Sequence, residues 1–370
     1  MKKKSYFLSL FLFLCLLSLA GCSGKEERTV KKTVKAQLEQ LKDFDSAVVQ
    51  DCISTEELLP EELQDETLSQ ELADIFSLFY QDFSYRIKEV SVEENQAHVT
   101  AKIKTLDAKA LAKDFSKAAL KERIKTSVSS SDAFSLEESC VLLKDLMESG
   151  EYETVSLTTD IQLQKNQERW EIVPTQELDS TLTGNFLKYA TDAKLLSPKE
   201  IVKVHFDAMK SFSPQELCAY LHLDSILDTD RQYQNSMGEA LAKQISKHFS
   251  YKILEETSDS TQASDSTQAV VQVSITSVDF HSIINSYKKK VSKWLKTSEA
   301  LSAGTQGRRE KEREILISCI EKNKKTFSQK LDIHLVNDGV NWKIQMDSEI
   351  SNAIFGDAKN AVAAISGDVA

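Results

Sequence analysis

One stretch of about 165 residues is written twice in this chain of 370 residues. The segment Phe83–Glu89 reads FSYRIKE and recurs as FSYKILE at Phe249–Glu255, 166 positions later. Further on, Asp160–Ile172 recurs as Asp332–Ile344, 172 positions later. A repeat of this length is long enough to form a domain with its own hydrophobic core. The sequence therefore predicts two homologous domains.

The six-residue difference between the two separations has a visible origin. The polar hexamer Ser258–Ala263 is followed at once by an identical copy, Ser264–Ala269. Lengthening a solvent-facing loop costs little closure entropy, so a duplicated polar hexamer predicts the tip of a hairpin. With this register we place the domains at residues 26–190 and 197–358, followed by a weakly structured tail at residues 359–370.

The sequence pattern of each repeat predicts the same order of elements: two helices, a hairpin, two helices, a second hairpin and a short helix. Apolar residues fall at helical spacing over 34–48 and 68–79, and the pattern changes to alternation from Phe83 to Leu106. Asp107 and its copy Asp279 then stand where a helix N-cap is needed. Helices combined with antiparallel hairpins predict the α+β class.

The N-terminus has the features of an export signal. Three lysines, Lys2–Lys4, precede the apolar run Ser5–Ser18, which is too short for a comfortable bilayer span. The run ends in Leu19–Cys22, with the sequence LAGC, which resembles the lipobox of bacterial lipoproteins. This resemblance implies a signal peptide over residues 1–21, a diacylglyceryl group on Cys22, and a tether at residues 22–29.

The remainder of the chain is acidic and has no second apolar run of about 20 residues. The formal charge of the whole chain is −11, and it becomes −14 when the three leader lysines are removed. Such a surface disfavours both nucleic acid and anionic lipid headgroups as partners. We expect an extracytoplasmic protein, attached by its lipid to the outer face of the cytoplasmic membrane, whose other partner is an unidentified protein or cell-envelope ligand.

The layout resembles secreted lipoproteins of Gram-positive bacteria with cystatin-like or NTF2-like cone domains. The last strands carry Trp170-Glu171-Ile172 and Trp342-Lys343-Ile344, an aromatic followed by an apolar residue as in that family. The resemblance implies two tandem cone domains, each with helices packed on a curved antiparallel sheet. Enzymes of this fold hold a carboxylate and a tyrosine in an apolar pocket, which makes Tyr85, Tyr251, Trp170 and Trp342 candidate pocket residues. Core packing or a strand-end hydrogen bond is the alternative role for them.

Motifs for catalysis are absent from the sequence. It contains no GxxxxGK[ST], GxSxG, HExxH or CxxC, and none of its six histidines is matched by a histidine in the other repeat. We predict no catalytic residue, no metal and no cofactor, and a non-enzymatic binding module as the function. The alternative is a small-molecule carrier or an enzyme that uses the apolar pocket of one domain.

Two further features leave alternatives open. Each domain has two cysteines after the leader, and an oxidising location would allow the disulfides Cys52–Cys140 and Cys218–Cys319, with four reduced buried thiols as the alternative. The lysines Lys288–Lys290, with Lys293 and Lys296, indicate a solvated helix face, with binding to an anionic wall polymer or lipid as the alternative.

Overall fold

The structure is a computed structural model that describes residues 24–42, 66–129, 135–223, 236–258 and 267–361. Its contacts divide the chain into two compact units, Met1–Ser116 with Ser135–Thr191, and Lys117–Phe134 with Asp192–Ala370. The repeat-based boundaries, 26–190 and 197–358, differ from this division in where they place Lys117–Phe134. Cys22, the leader and Cys52 lie outside the described residues.

The first repeat has the predicted order of elements. They are α1 (24–42), α2 (Glu66–Tyr80), β1 (Ser84–Glu93), β2 (Gln96–Leu106), α3 (Ala108–Ser129), α4 (Leu136–Ser149), β3 (Thr154–Asn166), β4 (Arg169–Ile172), α5 (Gln176–Leu182) and α6 (Phe186–Ala190). The helices pack against an antiparallel sheet, so the predicted α+β class is confirmed.

The second repeat follows the same plan. Its elements are α7 (Pro198–Ser211), α8 (Pro214–Tyr220), α9 (Ser236–His248), β5 (Ser250–Ser258), β6 (Gln268–Val278), α10 (Phe280–Trp294), α11 (Ser298–Ser302), α12 (Gly304–Glu321), β7 (Thr326–Asn337), β8 (Trp342–Ile344) and α13 (Ser348–Ile354). Ser197 and Ser213 each form a capping box before a proline, which starts α7 and α8.

The two sheets match strand by strand and share an irregularity. Each is a four-stranded antiparallel meander, with strand order β1-β2-β3-β4 and β5-β6-β7-β8. The register of the first strand slips between Ile87 and Glu89, and in the copy between Ile253 and Glu255. A bulge at the same repeat position in both sheets supports the duplication. Ser258 pairs with Ala269, so the duplicated hexamer spans the connection between two paired strands.

The inner face of each sheet is filled by side chains of its own unit. In β2 the inward residues are 0 to 1% exposed: Ala97, Val99, Ala101 and Ile103. In β6 their counterparts are 0 to 3% exposed: Ala269, Val271, Val273 and Ile275. The first helix of each repeat adds apolar residues to the same core cluster as its sheet, for example Leu38 of α1 in the first unit and Phe206 of α7 in the second. Burial of these apolar surfaces is the main force that holds helix to sheet.

Local signals at the helix ends act as predicted. The Asp107 carboxylate accepts from the backbone N–H of Lys109 at 3.1 Å, and the Asp279 carboxylate accepts from the N–H of Ser282 at 2.9 Å. Gly356, which corresponds to Gly184 at the repeat separation of 172 positions, has φ +68°, and a Cβ there would overlap the carbonyl of Val278. Only glycine fits a left-handed position this close to a strand end.

Two predictions about the chain ends are corrected in part. The tether predicted at residues 22–29 is helical from residue 24, because α1 begins there and Val30 is fully buried. At the other end, Ala361 is 1% exposed and belongs to the core of the second unit, so the predicted tail at 359–370 starts later than expected. Among the described residues, no helix is both long enough and apolar enough to cross a membrane.

Candidate functional site

Tyr251, a predicted pocket residue, is held by groups from the first helix of its unit. Its hydroxyl donates to Asp207 Oδ1 at 2.6 Å and approaches the backbone oxygen of Lys203 at 3.2 Å. The Lys203 ammonium donates to Asp207 Oδ2 at 2.7 Å. The aromatic ring lies against Phe206, with a distance of 5.1 Å between ring centroids. The tyrosine therefore links the start of β5 to the middle of α7.

The same linkage is present in the first unit. The Tyr85 hydroxyl donates to Glu39 Oε1 at 2.9 Å and approaches the backbone oxygen of Lys35 at 3.3 Å. Glu39 and Lys35 precede Asp207 and Lys203 by 168 positions, the separation that also relates the apolar residues of the two helices. Sequence reasoning missed these carboxylates because, within these two helices, it compared only the apolar positions. An acid kept at the same repeat position was the signal available.

Burial and hydrogen bonding keep these tyrosines neutral. Burial, and then the bond to Glu39, raises the pKa of Tyr85 to about 12. The pKa of Tyr251 is raised further by burial and by its bond to Asp207. Burial alone would raise the pKa of Asp207, but the hydrogen bonds from Lys203 and Tyr251 outweigh it, so the pKa is lowered. The Tyr251–Asp207 pair is thus a neutral phenol that donates to an ionised carboxylate, and it has no spare proton donor for a ligand.

The predicted tryptophans are core residues of the sheets. Trp170 is 5% exposed, and its indole N–H donates to Glu26 Oε2 at 2.8 Å. The Lys165 ammonium donates to the other oxygen of Glu26 at 2.8 Å and lies 5.7 Å from the Trp170 ring centre. Trp342 is 8% exposed in the core of the second unit. Glu26 falls in the segment predicted as a tether, so its role could not be foreseen.

His98, His205 and His281 each form a side-chain hydrogen bond with a different partner, and His98 bonds Asp160 at 2.7 Å. Tyr220 and His205 are joined by a hydrogen bond of 2.6 Å between Oη and Nε2, and burial lowers the pKa of His205 to about 4. Nε2 of His281 lies 2.9 Å from Asp357 Oδ2. In the described ranges, no group of three or more His, Cys, Asp and Glu side chains is placed to hold a metal ion.

The cysteines within the described residues are buried. Cys140 lies on α4, Cys218 on α8 and Cys319 on α12, and the last two belong to the same core cluster. Cys319 is present as a thiol. The predicted disulfide Cys218–Cys319 is therefore not formed in the structure. The disulfide Cys52–Cys140 remains a prediction, because Cys52 lies outside the described residues.

A basic surface on α10 stands apart from these buried groups. Lys288, Lys289, Lys293 and Lys296, with Ser292, line a shallow depression on the protein surface. We call these four lysines the lysine face. All four are exposed, whereas Ile283, Ile284 and Trp294 on the same helix are buried. The apolar residues of this helix thus pack inward and leave the lysines outside, as the prediction of a solvated lysine face expects.

Comparisons with known proteins leave the function open. The chain matches no family model and no curated protein. Among solved structures it is similar to a candidate lipoprotein, ycdA, of Bacillus subtilis, at 12% identity over 73% of this chain and 96% of that chain, with a TM-score of 0.27. A likeness this low carries no argument, so the fold and the site rest on the residues described above.

Proposed function

We propose that this protein is a lipid-anchored, extracytoplasmic binding module that works through its surface and has no enzymatic activity. The observation that supports this function is the filled inner face of each sheet. The residues that a cone-type enzyme would use are engaged elsewhere: both tyrosine hydroxyls bind carboxylates of the first helix.

Opening a pocket against β6 would be costly. A ligand there would have to displace side chains of α7, among which Val202, Phe206 and Met209 are 0 to 2% exposed. Uncovering a large apolar side chain costs about 1.5–3 kcal/mol, so three of them cost roughly 5–9 kcal/mol. That sum is comparable with the whole stability of a typical domain, about 5–15 kcal/mol. A surface site requires no such displacement.

The pocket question has a direct test. Native mass spectrometry of the protein purified from its membrane compares the folded mass with the mass after denaturation. The proposal expects no small molecule to be released beyond the covalent lipid. A stoichiometric apolar molecule that leaves on unfolding would overturn the surface function and favour the carrier or enzyme alternative.

The anchor is tested separately through Cys22. Cys22→Ser should abolish incorporation of labelled fatty acid and move the protein out of the membrane fraction. Cys15→Ser is the matched control, because Cys15 lies within the apolar run and upstream of the expected cleavage point. Unchanged lipid labelling in Cys22→Ser would contradict the anchor while leaving the surface function standing.

A further inference from the structure

The lysine face lies opposite the buried side of its helix. At about 100° per residue, Lys288, Lys289 and Lys293 fall within an arc of about 140°. Lys296 follows in the turn just after the helix, which ends at Trp294. The buried residues Ile283, Ile284 and Trp294 fall within an arc of about 100°, centred about 160° away. No Asp or Glu occurs between Asp279 and Glu299. The face is therefore a concentrated positive surface without a neutralising acid on its own helix.

The fold does not require all four lysines. At the repeat separation of 172 positions, Lys289 and Lys293 correspond to Lys117 and Lys121, whereas Lys288 and Lys296 correspond to Ser116 and Ile124, so the first repeat forms its helix with only two of the four. Long cations on one face of a helix repel one another, which opposes helix stability slightly. Residues that are neither buried nor required by the fold are candidates for contact with a partner.

The positive face sits in the less acidic half of the protein. Residues 22–191 contain 20 Lys and Arg against 33 Asp and Glu, whereas residues 192–370 contain 23 against 24. Charges beyond a Debye length of about 8 Å are largely screened at physiological salt. A flat anionic surface that approaches α10 would thus interact mainly with the lysine face and with nearby acids such as Glu299 and Glu312, and only weakly with the acids farther along the chain.

Exposed leucines continue this surface along the chain. Leu295, the C-cap of α10, is 44% exposed, and Leu301 on α11 is 77% exposed. Lysines that contact headgroups and leucines that enter the boundary of the acyl chains are the two components of interfacial binding. A soluble polyanion would use the lysines and leave the leucines in water, so the pair of features favours a lipid surface.

We infer that the lysine face, with Leu295 and Leu301, docks the second repeat onto anionic phospholipid headgroups. This deepens the proposed function by naming the chemistry of a surface partner, and it relies on the lipid anchor only for bringing the membrane within reach. Each lysine near an anionic surface contributes about a fivefold gain in affinity, so four contribute on the order of several hundredfold.

The test uses the mature chain, residues 22–370, with Cys22→Ser so that no lipid anchor takes part. Vesicle flotation compares phosphatidylglycerol-containing vesicles with phosphatidylcholine vesicles at low and high salt. We expect binding to the anionic vesicles only, weakened by salt. Replacing the four lysines of the lysine face with Gln should lower the affinity at least a hundredfold. The double variant Leu295→Ser, Leu301→Ser should lower it about tenfold.

A matched control variant loses four positive charges at other positions of the second repeat. Lys199, Lys210, Lys252 and Lys330 are exposed on three different elements of the second repeat, and their replacement with Gln should leave most of the binding intact. Equal loss in both quadruple variants, or no binding of the parent chain to anionic vesicles, would overturn the inference. A third result would also overturn it: tighter binding to soluble poly(glycerol phosphate) than to vesicles, with no change on substitution of the two leucines. The partner would then be a wall polymer. Cys22→Ser fractionation reports on the anchor independently of all these results.

Discussion

The hydroxyl group of Tyr251 decides between a structural and a ligand-binding role for the matched tyrosines. Tyr251→Phe removes the bond to Asp207 at 2.6 Å and the contact with the Lys203 carbonyl, and leaves the ring in place. A hydrogen bond to a charged group contributes about 1.5–3 kcal/mol. Because Asp207 keeps its bond to the Lys203 ammonium, we expect a loss near the lower end, about 1.5 kcal/mol. This corresponds to a Tm decrease of roughly 3–6 °C for a domain of this size.

Denaturant unfolding followed by circular dichroism measures the loss, and hydrogen exchange should locate it in α7 and β5. Tyr85→Phe should cause a similar loss in the first repeat. Tyr189→Phe is the control, because in the described part of the chain the structure gives the Tyr189 ring a contact with Lys109 and its hydroxyl no hydrogen bond. It should change stability by less than about 0.5 kcal/mol. Unchanged or increased stability in Tyr251→Phe would refute the structural role, since ligand-site residues are often held at a cost to stability.

The carboxylate partner adds a dependence on pH with a defined sign. The pKa of Asp207 is lower in the folded protein than its ordinary value, so the folded state favours the ionised form. Its contribution is complete above the unfolded pKa, about 3.9, and is lost as the pH falls through the lower folded value. Asp207→Asn should therefore be less stable than the parent at pH 7, and the difference should shrink in strong acid. A difference that stays constant down to strong acid would contradict this linkage.

Three further predictions test the repeat. Gly356→Ala should lower the free energy of unfolding by about 3 kcal/mol or more, because it combines left-handed backbone strain with the overlap with Val278. Gly304→Ala should lower it by about 1 kcal/mol, because Gly304 is also left-handed but has open space around it. Equal losses of the two variants in denaturant unfolding would contradict this. Deleting one copy of the hexamer should preserve the β5–β6 hairpin and raise stability by up to about 1 kcal/mol, because the connection shortens from 9 residues to 3; a loss in thermal unfolding would show that the extra residues are used. Mass mapping without reductant should find Cys319 as a thiol that reacts with alkylating reagents only after unfolding. A disulfide-linked pair of peptides containing Cys218 and Cys319 would contradict this and support the predicted disulfide.

The sequence predicted the elements well because their signals are local. The Asp N-caps, which were predicted, depend on residues a few positions apart, as do the Ser-Pro helix starts and the Asn337-Asp338-Gly339 turn that the structure contains. The repeat added long-range information, since a matched residue must serve the same purpose twice. Gly356 shows this: its match to Gly184 marked it, and the structure supplies the reason, a backbone that passes too close to β6 for any side chain.

The site could not be predicted to the same extent because its partners are distant in sequence. Tyr251 and Asp207 are 44 positions apart, and no periodicity links a strand residue to a particular turn of a helix. Glu26 is 144 positions from Trp170 and belongs to a segment that composition alone marks as a spacer. Such pairings depend on how the helix docks on the sheet. The hydrophobic pattern predicts which face of the helix is buried, but it does not predict which residues come into contact.

The duplication itself separates residues that serve the fold from residues that serve a partner. The tyrosine and its carboxylate, and the glycine at the strand end, recur in both repeats with the same contacts, as Tyr85 with Glu39 and Tyr251 with Asp207 do. Features needed to build the fold must recur in this way, because both repeats solve the same packing problem. Features found in one repeat only are free of that requirement. Lys288 and Lys296 of the lysine face belong to this second group, whereas Lys289 and Lys293 are matched by Lys117 and Lys121, and the excess of acid in residues 22–191 also belongs to it. The differences between the repeats are on the surface, which is where a binding module would acquire two distinct partners from one inherited core.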